Sequence, residues 1–201
     1  MRARILTEDF YRSEDVLQVA RALLGKLLVT KLAGVRTSGI ITEVEAYRAP
    51  DDRACHAYGN RCTARTEVMF RAGGCAYIYL CYGMHHLFNV VTGPEGMAHA
   101  VLVRAIEPLE GVEEMLRRRG KKEVQPQLTT GPGVLSRALG LHKDMSGENL
   151  LSGERVWIED IGREIAQHEI GVSPRIGVDY AGESALWPWR FFIRGSKWVK
   201  R

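Results

Sequence analysis

The sequence predicts a single α+β domain over residues 1–201, built on a central, curved and mostly antiparallel sheet with flanking helices. Strand-like runs follow one another through the middle of the chain, with glycine and proline between them. Few segments have the apolar spacing of helices, and no repeat, low-complexity tract or linker divides the chain. A chain of 201 residues can bury a sizeable core.

The N-terminal part predicts one helix followed by two strands. Ser13 is a typical helix start, residues 16–24 carry an apolar stripe at helical spacing, and Gly25 suits the helix end. Residues 26–32 and 35–47 are strand-like, and an Ala-Gly turn separates them. The chain is therefore expected to enter its sheet through these two strands.

The middle of the chain predicts a long loop and then three strands. Residues 48–75 are polar and rich in glycine, and loops of this length in compact domains are usually functional or mobile. Residues 76–82, 87–92 and 98–106 are strand-like, with glycine-containing turns between them. This alternation predicts a hairpin-rich, antiparallel centre.

The last part predicts two helices and two late strands. Residues 110–119 have helical character, and a Thr-Gly-Pro-Gly segment opens a short helix over 130–139. Residues 121–128 read as a loop between them, while 155–158 and 191–194 are strand-like. These elements complete the predicted domain.

The composition predicts a globular protein, and we expect no export signal. The chain is 45% hydrophobic and 26% charged, and no apolar run is long enough to span a membrane. Its first residues turn acidic before a signal-peptide core could form. The four cysteines form no Cys-x-x-Cys pair, which favours reduced thiols; they are Cys55, Cys62, Cys75 and Cys81. We expect a cytoplasmic protein, in the nucleoid if bacterial, or a nuclear one if eukaryotic.

Charge patterning allows a polyanionic partner without requiring one. The net charge is +4 and the pI about 8.9. A basic run lies within 117–122, and residues 190–201 interleave cations with aromatic rings. The first pattern fits a solvated helix end and the second a final strand with a charged tail, and each fits phosphate contacts equally well.

A carboxylate in an apolar strand is the leading candidate for chemistry. Glu45 lies in the run 40–47, where period-2 alternation predicts that Ile41, Glu43, Glu45 and Tyr47 share one face. A carboxylate beside an aromatic ring at a strand end is a candidate general base, although an exposed strand edge would show the same pattern. The spacing of Glu43 and Glu45 also suits a pair of carboxylates flanking a glycosidic bond.

An arginine and a group of tyrosines are further candidates for function, whereas the histidines and cysteines show no metal-binding pattern. Arg104 interrupts a strand-like apolar run, and it either pairs with Glu43 or Glu45 or extends its head to water. Tyr77, Tyr79 and Tyr82 form an aromatic cluster in which Tyr82 meets a glycine turn; this fits cross-strand packing or a wedge for nucleic acid. No histidine or cysteine spacing indicates a metal, and no phosphate-binding or dinucleotide motif appears, so we expect no metal and no cofactor.

Several motifs in order resemble the alkyladenine (3-methyladenine) DNA glycosylase family of the mammalian type, from about residue 5 to the end. They are Glu43-Val44-Glu45-Ala46-Tyr47, Pro50-x-Asp52-x-Ala54-x-His56, Met69-Phe70, Tyr77-Ile78-Tyr79-x-x-Tyr82-Gly83-Met84, Asn89, Leu102-x-Arg104-Ala105-x-Glu107-Pro108-Leu109-Glu110-Gly111, Gly131-Pro132 and Arg190-Phe191-x-x-Arg194-Gly195-Ser196-x-Trp198-Val199. The resemblance implies a monofunctional enzyme that flips alkylated or deaminated purines out of duplex DNA and hydrolyses them off. It also implies a hairpin that enters the minor groove, a monomer, and neither metal nor lysine Schiff base.

The resemblance also assigns roles to residues. Glu45 matches the general base that activates water, and Arg104 matches an arginine that helps to hold that water. Tyr82 matches the side chain that intercalates where the base was. The residues matching the base pocket are Tyr47, His56, Tyr79 and Asn89. In this scheme Glu43 loses its place as an equal partner of Glu45.

This chain departs from the human-type pattern at two places. His85 and His86 stand where human-type members have an aromatic residue, and residues 119–128 form a shorter segment. The resemblance therefore indicates the reaction type more firmly than the lesion preference. Two other functions fit the same patterns: a non-catalytic module that binds damaged DNA, and a hydrolase of small glycosides that uses Glu43 and Glu45.

Overall fold

The computed structural model describes residues 3–200, and one antiparallel sheet organises them. All of its strand pairs run antiparallel, in the order β1-β7-β2-β3-β6-β5-β4, with β9 on β3 and β8 on β9. The strands are β1 (Arg4–Ile5), β2 (Leu27–Leu32), β3 (Val35–Arg48), β4 (Ala76–Cys81), β5 (His85–Thr92), β6 (His99–Glu110), β7 (Val156–Asp160), β8 (Ile170–Ser173) and β9 (Arg190–Ile193). The predicted α+β class is confirmed.

Short helices pack around this sheet. They are α1 (Glu8–Tyr11), α2 (Val16–Leu23), α3 (Val112–Arg119) and α4 (Pro132–Leu139). The start of α2 is capped by Asp15, whose carboxylate accepts hydrogen bonds from the N–H groups of Leu17 and Gln18; the predicted start at Ser13 is therefore two residues early. No described helix is long and apolar enough to cross a bilayer.

The predicted strands and longer helices are present, with ends shifted by a few residues. The largest shift is in β6, which continues to Glu110 where the sequence predicted its end at Ile106. Helix α1 and strands β1 and β8 have no counterpart among the elements predicted from the sequence. Each has four residues or fewer, so each carries too little periodicity to be detected locally.

Strand β3 is the centre of the sheet because it pairs on both sides over much of its length. Its first half pairs with β2, and β6 follows it from Ser38 to Arg48. On the other side, β9 pairs with the segment from Glu43 to Glu45. Both glutamates therefore lie on an interior strand, and neither side chain is exposed to solvent.

Bulges on β3 and β6 decide which residues share a face. The register shifts on both sides of Glu43, and on β6 Arg104 is the extra residue between the partners Val103 and Ala105. Ile41 packs in the main core with Val44, an even-numbered residue, so the alternation changes phase between them. The prediction that Ile41 shares the face of Glu45 is therefore wrong, because a bulge reverses the side-chain direction.

The two faces of the sheet bury different clusters. One face packs against helices in the main core, which includes Phe88, Val103 and Phe191. The other face packs beneath the long loop of residues 49–75, where Met69 and Tyr77 belong to a second, smaller core. This second face carries the odd-numbered residues of β3 beyond the bulge, and the candidate site lies on it.

Candidate active site

Strand register brings residues from distant parts of the chain into one row on the sheet. Glu45 pairs with Leu102, Leu102 with Asn89, and Asn89 with Tyr77. Because paired residues of neighbouring antiparallel strands project to the same face, these side chains lie side by side. The row therefore places Glu45, the candidate general base, in line with Asn89 and Tyr77 of the pocket wall.

The Glu45 carboxylate is buried and held by three donors. Its Oε2 accepts from the Tyr47 hydroxyl at 2.8 Å and from Nη1 of Arg104 at 3.1 Å. Its Oε1 accepts from the backbone N–H of Ile176 at 2.7 Å. An ionised carboxylate offers about four acceptor positions, so this arrangement orients Glu45 and leaves about one position open.

Arg104 joins both glutamates in one buried network. Its Nε donates to Oε1 of Glu43 at 2.9 Å while its Nη1 reaches Glu45, which confirms the paired interpretation of this arginine. Burial works against its charge, but Glu45 and then Glu43 raise the pKa of Arg104 above its usual value. The β6 bulge aims the guanidinium between the two carboxylates.

Glu43 also binds the C-terminal segment of the chain. Its Oε1 also accepts from Nε of Arg190 at 2.8 Å, and its Oε2 accepts from the backbone N–H of Lys200 at 2.8 Å. Arg190 is buried, so its charge belongs to this network and not to a surface patch. The C-terminal segment is thus bound to the strand that carries Glu45.

A second buried ion pair fixes the loops on either side of the site. Both side chains of the pair formed by Arg175 and Asp52 have no exposure. Arg175 donates to the two Asp52 oxygens at 2.5 and 2.8 Å and to the Ala46 and Ser184 carbonyls. Because Ile176 follows Arg175, this pair positions the N–H group that holds Glu45.

Tyr47 lies between this ion pair and Glu45. The Arg175 guanidinium sits over the Tyr47 ring, 4.8 Å from the ring centroid. Burial, and next the neighbouring Glu45 carboxylate, raise the pKa of Tyr47 well above its usual value. Tyr47 therefore stays protonated and donates its hydrogen bond to Glu45.

His56 and two tyrosines form the opposite wall. The His56 ring meets Tyr79 edge-on, with centroids 4.5 Å apart, and its Nδ1 lies 2.9 Å from the Tyr77 hydroxyl. Burial, and then the nearby Arg65 cation, lower the pKa of His56 to about 4. His56 is therefore neutral at physiological pH.

Asn89 contributes a fixed acceptor to the same wall. Its side-chain amide nitrogen donates to the backbone carbonyls of Tyr77 and Leu87 at 3.0 and 3.2 Å. Both N–H groups are used by carbonyl oxygens, which assigns the amide orientation and leaves Oδ1 as an acceptor.

Tyr82 stands at the tip of the hairpin between β4 and β5. Its φ is +50° and that of Gly83 is +70°, and Met84 N–H donates to Cys81 C=O, which together define a type I′ turn. A tyrosine rarely adopts positive φ, so the position is strained. Its side chain is 90% exposed, as a wedge would require.

The turn and the neighbouring helix place the adjacent histidines differently. His85 packs against Gly133 at the start of α4, where a Cβ atom would come within 2.8 Å of the imidazole. His86 packs on His142 with ring centroids 3.9 Å apart. His85 therefore borders the site, whereas His86 packs away from it.

These elements enclose a cavity of about 640 Å³. Its wall includes six of the seven residues assigned by resemblance, namely Tyr47, His56, Tyr79, Tyr82, Asn89 and Arg104. Glu45 lies behind that wall, covered by Tyr47, Arg104 and Ile176. Within residues 3–200, no three histidine, cysteine, aspartate or glutamate side chains gather as a metal site would need.

Sequence reasoning missed several residues that build this site. Arg175 and Arg65 were not singled out by any pattern, and only the Pro50-x-Asp52 motif hinted at the Arg175 partner. Arg190 belongs to the C-terminal motif of the resemblance, but no role was assigned to it. No local pattern identifies the Ile176 N–H, because any residue could donate it.

Comparisons with known proteins show the family of this chain. The model of the methylpurine-DNA glycosylase (MPG) family matches residues 9–197. A Bacillus cereus protein named "Putative 3-methyladenine DNA glycosylase" is 48% identical over 201 residues, covering 96% of this chain and 97% of the relative. A Bacillus cytotoxicus protein of the same name is 48% identical over 200 residues, with the same shares covered. The chain therefore belongs to the methylpurine-DNA glycosylase family.

Proposed function

We propose that this DNA glycosylase flips alkylated or deaminated purines out of duplex DNA and hydrolyses their N-glycosidic bonds. The class includes 3-methyladenine, 7-methylguanine and hypoxanthine. The observation that carries the proposal is the buried Glu45, which is oriented by three donors directly behind an aromatic cavity. One chain supplies every residue of the scheme, so we also propose that it acts as a monomer.

The cavity suits a flipped base. A base inside a duplex cannot be reached, so the nucleotide is extruded at a cost of a few kcal/mol. The volume of about 640 Å³ lies within the range of small-ligand sites. Tyr47 and Tyr79 offer ring faces for stacking on a purine, and Asn89 in the same wall offers an acceptor for the edge of a base.

Tyr82 is suited to fill the gap that the flipped nucleotide leaves. It is the most exposed of the large apolar side chains in the described residues, and the strained turn holds it away from the protein. Insertion of an aromatic side chain between base pairs compensates for part of the lost stacking. The chain as a whole is mildly basic, with a net charge of +4, and phosphate contacts by its exposed cations would make the affinity for DNA depend on salt.

Glu45 can then activate one water molecule. The open acceptor position on Glu45 takes a proton from water while the water oxygen bonds to C1′ of the deoxyribose. The bond from C1′ to the base nitrogen breaks, and the base keeps the electron pair. The sugar gains oxocarbenium character on the way, as in other glycoside hydrolysis. Arg104 donates a hydrogen bond to Oε2 of Glu45 and so helps to hold the carboxylate in place.

The contacts of Glu43 argue against the alternative function, a hydrolase of small glycosides. This carboxylate accepts from the side chains of two buried arginines, Arg104 and Arg190, and from the Lys200 N–H, so it serves to bind the C-terminal segment to β3. These contacts support a structural role for Glu43, and the proposed reaction uses Glu45 as its single carboxylate.

The test is base release from duplex DNA that contains one hypoxanthine, followed by alkaline cleavage of abasic sites. Wild-type protein should release the base, with a chelator present as well as without one. Glu45→Gln should bind the duplex but release the base at least about a hundredfold more slowly in single turnovers. Glu164→Gln, which removes an exposed carboxylate, is the matched control and should behave as wild type. Binding without release by wild type would instead support the non-catalytic DNA-binding module.

A further inference from the structure

The wall of the cavity carries positive charge that no carboxylate on the wall offsets. The cationic residues lining it are Arg65, Arg104 and Lys200, and none of the lining residues within 3–200 is an aspartate or glutamate. Arg104 is neutralised from behind by Glu43 and Glu45. Arg65 forms no ion pair with any carboxylate of the described chain, so its charge acts on whatever occupies the cavity.

Arg65 is held against the aromatic wall by two contacts. Its Nη2 lies 3.3 Å from Nε2 of His56, and its Cζ lies 5.0 Å from the centroid of the Tyr79 ring, over the ring face. The side chain is otherwise exposed, so it reaches the site from the loop at the cavity mouth.

The contact with His56 decides which imidazole nitrogen carries the proton. A guanidinium can only donate, so Nε2 of His56 accepts from Arg65 and bears no hydrogen. Nδ1 therefore carries the proton and donates to the Tyr77 hydroxyl at 2.9 Å. The pocket thus presents a neutral imidazole next to a permanent cation.

We infer that Arg65 is a specificity-determining residue that favours neutral purine lesions, such as hypoxanthine, over cationic N-alkylated purines. The inference deepens the proposed function and rests on it. When the bond from C1′ to the base nitrogen breaks, the electron pair stays with the base. A neutral purine thereby becomes an anion, which the Arg65 cation stabilises. A cationic purine is repelled when it enters the cavity and becomes neutral on leaving, so relative to the unflipped duplex it gains nothing from Arg65.

Arg65 also offsets the attraction that aromatic rings exert on cations. An aromatic pocket by itself would favour a cationic base through cation–π contacts. In this site one face of Tyr79 is already occupied by the Arg65 guanidinium. The remaining ring surface therefore attracts a second cation less strongly, which works in the same direction as the charge repulsion.

The test compares two matched duplexes, one with hypoxanthine and one with 7-methylguanine at the same position, in single turnovers. Arg65→Gln keeps a donor for His56 but removes the charge, and it should shift the rate ratio about tenfold toward 7-methylguanine. Arg65→Ser is a second uncharged variant with the same expected direction. Arg65→Lys keeps the charge and should leave the ratio near that of wild type. Arg61→Gln removes an equal charge from the same loop outside the cavity wall, and it should leave the ratio unchanged.

The outcomes are distinct. An unchanged ratio in Arg65→Gln and Arg65→Ser, with both rates lowered equally and a shallower salt dependence, would make Arg65 a phosphate contact and overturn the inference. Release of neither base by wild-type protein would remove the proposed function, and this inference with it. Release by wild type with an unshifted ratio in the variants would remove the inference alone.

Discussion

The ion pair between Arg175 and Asp52 should be a principal support of both stability and the site. We consider Arg175→Met, which keeps much of the side-chain volume but removes the guanidinium. The change deletes two hydrogen bonds to Asp52 and those to the Ala46 and Ser184 carbonyls. Asp52 would remain fully buried with only backbone donors, from Ala54 at 2.9 Å and Arg48 at 3.4 Å.

The expected loss of unfolding free energy follows from the burial of Asp52. Removing one partner of a buried ion pair leaves an uncompensated charge, and it typically costs about 3–5 kcal/mol of unfolding free energy. For a domain of about 200 residues this corresponds to a loss of roughly 6–20 °C in Tm. The double variant Asp52→Asn/Arg175→Met should lose less than the sum of its single changes, because neither charge is then left unpaired.

The assay is urea unfolding followed by circular dichroism, together with base release at a temperature where every variant is folded. Arg155→Met is the matched control, since Arg155 pairs with Glu148 at 2.6 Å on the surface and should cost below about 1 kcal/mol. Arg175→Met should also slow base release, because Ile176 would no longer hold Glu45 in place. A loss for Arg175→Met no larger than that for Arg155→Met would refute this reasoning.

Three further predictions concern the hairpin, the thiols and the pocket histidine. Tyr82→Ala should leave the free energy of unfolding within about 0.5 kcal/mol of wild type, because the side chain is exposed. The same change should weaken binding to lesion-containing duplex by about fivefold or more in a gel-shift titration. A thiol-alkylating reagent should label exposed Cys62 first, as measured by mass spectrometry. Cys55 and Cys75 should resist labelling, because burial raises their pKa values to about 12 and about 11. Rapid labelling of either buried cysteine would contradict this prediction. The folded pKa of His56, about 4, lies below its ordinary 6.5, so the unfolded chain binds more protons between these values and stability falls as the pH is lowered through that window. His56→Gln should make the difference between urea unfolding at pH 7 and at pH 4.5 smaller, and an unchanged difference would count against a neutral buried imidazole.

Local sequence patterns were enough to predict most of the secondary structure and the α+β class. The apolar stripe of α2, the glycine-bounded strands β2 to β6 and the tip at Tyr82 and Gly83 all depend on neighbours within a few residues. Such signals are carried by backbone propensity and side-chain periodicity, which do not require a partner elsewhere in the chain. The same patterns made Glu45 and Arg104 stand out as charges in apolar runs.

Tertiary structure alone decided how those charges are used. The phase change at the β3 and β6 bulges, the row that joins Glu45 to Asn89, and the pairing of Arg175 with Asp52 depend on strand register and on contacts between distant segments. A register shift of one residue reverses every side chain, and no local propensity encodes it. The position of Arg65 over Tyr79 likewise depends on how the long loop folds onto the sheet. The chain's sequence therefore specifies which residues are unusual, and the packing of its loops and strands specifies what each of them contacts.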